Sequence, residues 1–237
     1  CNRANFVSIS NKQRTLPLKY ISTIYHGIDI KQSPFNDCPV DNYILWLGRI
    51  VPEKGLEDAL NLAVQLKKKL MVVGRIDKEN ESNYQYFETK IKNQLNNPLV
   101  TSLETIDTEK RNELMLQSKC FLFPIKWEEP FGLVMIEAMA CGTPVVAFAR
   151  GSVPEIVKDG ETGFIVNSSD QDVRGDFIIK KTGFEGLKEA VEKIFNMPGD
   201  QYKQMRINCR KHVELNFSLN KMVGEYESVY NKIIASK

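Results

Sequence analysis

Short apolar runs alternate with segments of helical period along most of the chain. Tyr43–Gly48 (YILWLG) is too short and too uniformly apolar for anything but a buried strand, and the pattern ends it at the glycine. The KGLEDALNLAVQL segment that follows places Leu56, Ala59, Leu60, Ala63 and Val64 on one helical face. LMVVG (Leu70–Gly74) repeats the strand-then-glycine pattern, a polar segment from Ser82 to Leu95 has helical character, and PLVTSL reads as a weaker strand. DTEKRNELMLQS, with Asp107 and Thr108 as candidate caps, forms an amphipathic helix leading into the strand CFLFP. Then EEPFGLVMIEAMACG supplies a helix and PVVAF a strand. SVPEIV, the glycine-rich turn KDGETGFIV, and helical patterns over 185–196, 200–214 and 219–235 complete the chain.

Buried strands that alternate with helices predict an α/β fold: a Rossmann-like parallel sheet with helices on both faces. Ahead of it, NFVSISNKQR reads as a strand and a polar turn with no earlier element to pair with, and STIYHGIDIKQSPFNDCP as a linker. The expected division is residues 1–38 as the remnant of a preceding domain and linker, 39–217 as the sheet domain, and 218–237 as a final helix.

Charge changes this picture little. Lys and Arg number 32 against 30 Asp and Glu, so no basic field marks a nucleic-acid partner. The five cysteines, Cys1, Cys38, Cys120, Cys141 and Cys209, are odd in number and scattered, which speaks against disulfides or a zinc site and for reduced thiols in the cytoplasm. Neither a membrane span nor a signal peptide is evident.

Candidate chemistry gathers where the carboxyl ends of parallel strands and the helix N-termini point. Arg49 and Lys54, in LGRIVPEKG, suit a diphosphate; a solvated basic pair is the alternative. Pro130 pushes Glu129 out of helical geometry and can itself occupy the first helical turn, so Glu129 belongs to a loop facing the cleft. Phe131, Gly132, Leu133 and Val134 would then offer backbone N–H groups at a positive helix end, unless the helix is simply capped. Glu137 is the single charge between Pro130 and Cys141. A carboxylate in so apolar a helix needs either a polar ligand, such as a ribose diol, or a buried Arg or Lys. Glu129 and Glu137 stand eight residues apart, too far along a helix for two groups working on one bond.

HGID, LGRIVPEKG, EEPFGLVMIEAMACGTPVVAF with its E-x7-E spacing, and GSVPEIVKDGETGFIV resemble the donor-binding domain of the retaining GT-B glycosyltransferases of family 4, also called glycosyl transferase group 1. The resemblance runs from about Ile24 to Val166. It implies the C-terminal half of a GT-B fold that moves a sugar from a nucleotide-diphosphate sugar, a UDP-sugar being favoured, to an unidentified acceptor, with retention and without a cofactor or an obligatory metal. In that reading Arg49 and Lys54 bind the diphosphate, the Gly132, Leu133 and Val134 amides face the phosphate, Glu137 holds the ribose and Glu129 is the catalytic-site residue that contacts the sugar. The missing N-terminal half would carry the acceptor site and any peripheral membrane contact, and the final helix would pack on it. A non-catalytic nucleotide-sugar-binding module and a GT-B epimerase are the competing readings. PLVTSLETIDTEK lacks the glycine that usually ends the strand flanking the base pocket, which leaves the base contacts unassigned.

Overall fold

Successive residues of the Tyr43–Ile50 strand bury on opposite faces of one sheet: Tyr43 and Leu45 enter one apolar cluster, Ile44 and Trp46 another. A parallel strand has this two-sided burial when helices cover both faces. The computed structural model describes residues 4–38 and 41–235, so Cys1 and the expected boundary at 38 and 39 fall at or beyond the described residues. Two short strands come first, β1 (Phe6–Ser8) and β2 (Tyr20–Thr23), paired with each other in parallel. The main sheet contains β3 (Tyr43–Ile50), β4 (Lys69–Ile76), β5 (Val100–Leu103), β6 (Cys120–Phe123), β7 (Val145–Phe148) and β8 (Gly163–Val166), all parallel, in the order β5-β4-β3-β6-β7-β8. The helices are α1 (Leu56–Leu66), α2 (Glu81–Tyr86), α3 (Thr108–Gln117), α4 (Leu133–Ala140), α5 (Val153–Ile156), α6 (Gly183–Phe195), α7 (Gly199–Asn216) and α8 (Leu219–Ala235). Residues of α3 and α4 fill the cluster on one face, those of α1 and α6 the other, and α7 contributes to both. The Rossmann-like architecture is as expected. The chain winds outward from β3 to β5, and α3 then carries it back to β6 beside β3, so the strand order reverses between β3 and β6.

Several local expectations are corrected. β3 and β4 do not end at Gly48 and Gly74; both run on, pairing Gly48 with Gly74, Arg49 with Arg75 and Ile50 with Ile76. Gly74 makes room rather than stops a strand: a Cβ there would lie 2.8 Å from the Ile50 side chain and 3.2 Å from Trp46. On α1 the buried arc is centred on Ala59 and Ala63, so Leu62 is inside and Val64, 45% exposed, is outside. The segment expected to be one helix from Ser82 to Leu95 breaks after α2 into a wide π turn (Phe87–Ile91) that buries both Phe87 and Ile91, followed by a 3-10 turn at Gln94–Asn96. GFIV, taken with the glycine-rich turn, is the strand β8. Gly163 is required at its start because a Cβ there would fall 1.9 Å from the Val145 carbonyl oxygen.

The segment before the sheet is docked rather than loose. Ile24 is buried, and the Glu155 carboxylate accepts the Asn11 and Lys12 N–H groups (2.8 and 2.9 Å) and the Tyr25 hydroxyl (2.9 Å). Burial, then Glu155, pushes the Tyr25 hydroxyl up to about 12. Arg206, fully buried on α7, ties the linker to the core. It donates to the carbonyls of Asn36 (2.9 Å), Leu116 (2.8 Å), Ser118 (3.3 Å) and Cys141 (3.1 Å). Leu116 lies in the last turn of α3, while Ser118 and Cys141 cap α3 and α4, so helix C-termini compensate the buried cation. Among the described residues no helix is long and apolar enough to cross a membrane.

Candidate functional site

The route from β3 into α1 carries Lys54 across to the end of β6. A 3-10 turn (Pro52–Lys54) leads into Gly55, whose left-handed backbone (φ 69°) lets it approach the Pro124 carbonyl; a Cβ would sit 2.1 Å from that oxygen. The buried Trp46 holds the turn from below, its indole N–H donating to the Lys54 carbonyl (3.1 Å). Lys54 Nζ then meets Glu129 Oε2 at 2.9 Å, and the Trp127 indole N–H donates to the same oxygen at 3.0 Å. The ammonium also lies 5.1 Å from the Trp127 ring centroid and 5.5 Å from that of Phe123. Glu129 is only 9% exposed, so its charge is compensated locally. Arg49 is the penultimate residue of β3 and is exposed. It shares with Lys54, Asn80, Asn83 and Trp127 the lining of a groove of about 330 Å³.

The start of α4 differs from expectation in one respect: Pro130 is not in the helix, which begins at Leu133. Gly132 precedes it in the left-handed region (φ 80°), with no side chain capping the helix. Among the described residues no acceptor meets the N–H groups of Phe131, Gly132, Leu133 or Val134, so donors remain at the positive end of the helix. Glu137 follows one turn later, with its side chain 21% exposed. Its partner is the cation of the salt-bridge alternative: Arg111 on α3 places Nη2 3.2 Å from Glu137 Oε1. Burial raises the Glu137 carboxyl above its ordinary range, and the opposing Arg111 charge does not cancel it. Arg111 Nε is itself buried without a hydrogen-bond partner.

The structure therefore joins Lys54 to Glu129 and leaves Arg49, the α4 amides and Glu137 at separate points along the carboxyl ends of β3 and β6. Sequence reasoning missed the ion-pair network next to Glu129. Glu128 accepts from Arg174 Nη1 (2.7 Å), the Gly151 N–H (2.8 Å) and Arg150 Nη1 (3.2 Å), while Asp172 bridges both arginines. Arg174, then the Gly151 amide and Arg150, hold the Glu128 carboxyl at about 2. Arg174 belongs to an RGD tripeptide that reads as a chance adhesion motif in the sequence; here its arginine is an internal tether. The partners of Glu128 lie 22 to 46 residues from it in sequence, and no spacing rule connects them. His26 packs edge-on against Phe131 at 5.1 Å between ring centroids.

A six-stranded parallel sheet whose strand order reverses between β3 and β6, with open helix amides beside that point, has the Rossmann-like form of one half of a GT-B fold. More specifically, the model of the "Glycosyl transferases group 1" family matches residues 30–212, and the chain belongs to that family. The capsular polysaccharide biosynthesis glycosyltransferase CapM of Staphylococcus aureus is 30% identical over 205 residues, 82% of this chain and 47% of that protein. Trehalose synthase of Pyrococcus horikoshii is 26% identical over 240 residues, 94% of this chain and 53% of that protein. The chain thus spans about half the length of these relatives. Among solved structures, sucrose-phosphate synthase from Thermosynechococcus elongatus superposes with a TM-score of 0.80 at 24% identity, covering 98% of this chain and 59% of that one. Anabaena HepE in complex with UDP and glucose superposes with a TM-score of 0.76 at 18% identity, covering 95% and 62%.

Proposed function

We propose that this chain is the donor-binding half of a retaining GT-B glycosyltransferase of family 4, acting on a nucleotide-diphosphate sugar. The observation that carries the reading is the Lys54–Glu129 pair, with Trp127 on the same oxygen, beside open amides at the start of α4. An ammonium there meets the diphosphate, and Arg49 adds a second cation from β3. The Gly132, Leu133 and Val134 amides face phosphate oxygens at the positive helix end. Glu137 takes the ribose diol, exchanging Arg111 for hydroxyl donors, and Glu129 contacts the transferred hexosyl group once the phosphate draws Lys54 away. A UDP-sugar is the favoured donor, in line with the UDP bound by the HepE neighbour.

In the same reading, residues 1–38 and α8 belong to the junction with an acceptor-binding half. Leu219, Val223, Tyr230 and Ile234 stand exposed along α8, apolar surface of the kind such a junction covers. A cytoplasmic setting fits the thiols of Cys120, Cys141 and Cys209, which are buried and unpaired. A second reading, a nucleotide-sugar-binding module without turnover, draws on the cations that already occupy both glutamates. Calorimetry with UDP, GDP and ADP on the wild type and Glu137→Ala tests donor binding: unchanged affinity in the variant removes the ribose role. Slow hydrolysis of the bound nucleotide sugar separates the transferase from the module.

A further inference from the structure

One turn holds the loop that carries Glu129. The residues Arg150–Gly151–Ser152, just after β7, lie against residues 128–131. The Ser152 N–H donates to the Glu129 carbonyl (2.9 Å), and its hydroxyl donates to the Phe131 carbonyl (2.7 Å). A single residue thus secures the carbonyls on both sides of Pro130. Ser152 is fully buried. Next to it the chains are in backbone contact: a Cβ at Gly151 would lie 2.2 Å from the Glu129 carbonyl oxygen and 2.3 Å from its nitrogen. The Glu128 side chain forms an outer arm through the Gly151 N–H and the two arginines.

Proline lacks an N–H, so a bend at Pro130 cannot be fixed by its own ladder and must be held from outside. We infer that Ser152 is a positioning residue for Glu129: its amide and hydroxyl fix the peptide frame around Pro130 from which the Glu129 carboxylate reaches the donor sugar, and Glu128 steadies the outer side of that frame. The inference rests on the donor-binding reading for what Glu129 grips, and not for how Glu129 is held. A reacting group must be kept within about half an ångström of its working position, which a solvated proline bend alone does not provide.

The test measures affinity for UDP, GDP and ADP and for their glucose conjugates in the wild type, Ser152→Ala, Glu129→Ala and the double variant. The readout is the affinity gained from the sugar. Glu129→Ala should reduce that gain about tenfold or more, as expected for a lost charged hydrogen bond. Ser152→Ala should reduce it by at least about threefold, over and above any change in nucleotide affinity through the Phe131–Gly132 peptide that its hydroxyl holds, and should take nothing further from the sugar gain in the Glu129→Ala background. A ligand-free readout accompanies it: the Trp127 indole N–H resonance should move in Ser152→Ala in the direction seen in Glu129→Ala. Glu128→Gln, a change on an exposed side chain, should move both readouts the same way by less and serves if Ser152→Ala does not fold.

A purely structural serine would lower the urea midpoint and weaken nucleotide and nucleotide sugar alike. An unchanged sugar gain with an unmoved Trp127 resonance overturns the positioning role. A wild type indifferent to the sugar and to Glu129→Ala overturns the donor reading instead, and the Trp127 resonance then decides the positioning role alone.

Discussion

Lys54→Met deletes the ammonium while keeping most of the stem. The Lys54 and Glu129 side chains are 18% and 11% exposed, so the pair lies between a surface and a buried ion pair. Removing one partner of a buried pair costs about 3–5 kcal/mol, whereas an exposed pair contributes about 0–1 kcal/mol. With the Trp127 N–H still on Glu129, the expected loss for Lys54→Met is about 2 kcal/mol. Adding Glu129→Gln removes the orphaned charge, and the double variant should recover about half of that loss or more. Binding provides an independent measure: losing one charge-assisted contact should weaken a nucleoside diphosphate by about 1.5–3 kcal/mol, roughly 10- to 150-fold, and leave the nucleoside unaffected. Urea denaturation gives the first quantity and calorimetry the second. If the double variant is no more stable than Lys54→Met, the ammonium does not neutralise Glu129; if nucleoside and diphosphate weaken equally, it does not read phosphate.

Glu137→Gln should gain stability over the wild type as pH rises from about 4 to about 8, because burial raises the Glu137 carboxyl in the folded state and its stabilising contribution fades as it ionises. Urea midpoints across that range measure the gain, and nucleotide affinity should fall in the same variant. Arg49→Ala should lower diphosphate affinity roughly tenfold at unchanged urea midpoint, since Arg49 is exposed. Arg206→Met should cost about 3–5 kcal/mol by chemical denaturation, because helix-end carbonyls that receive its donors become unsatisfied. Arg206→Lys should recover only part of this, as a point cation cannot reach four carbonyls at once.

The main α/β architecture was legible because burial on both faces of a sheet leaves an uninterrupted apolar run, which YILWLG, CFLFP and PVVAF each show. Glu129, outside the helix beside Pro130, and Glu137, alone among apolar residues, were also visible, since each breaks a local rule. Where two elements share one requirement, local pattern misled. Gly48 and Gly74 read as strand ends, yet Gly74 exists for Ile50 and Trp46, which only the paired strands bring near.

What the sequence determined by itself was which segments become buried strands and helices, and which residues are chemically out of place among them. Only the tertiary structure decided what those residues meet: Lys54 on Glu129, Arg111 on Glu137, Ser152 on the carbonyls beside Pro130. Secondary structure follows from periodicities of two to four residues. These contacts close loops of 21 to 75 residues, and their partners are chosen by strand order and crossover, to which a local pattern is blind.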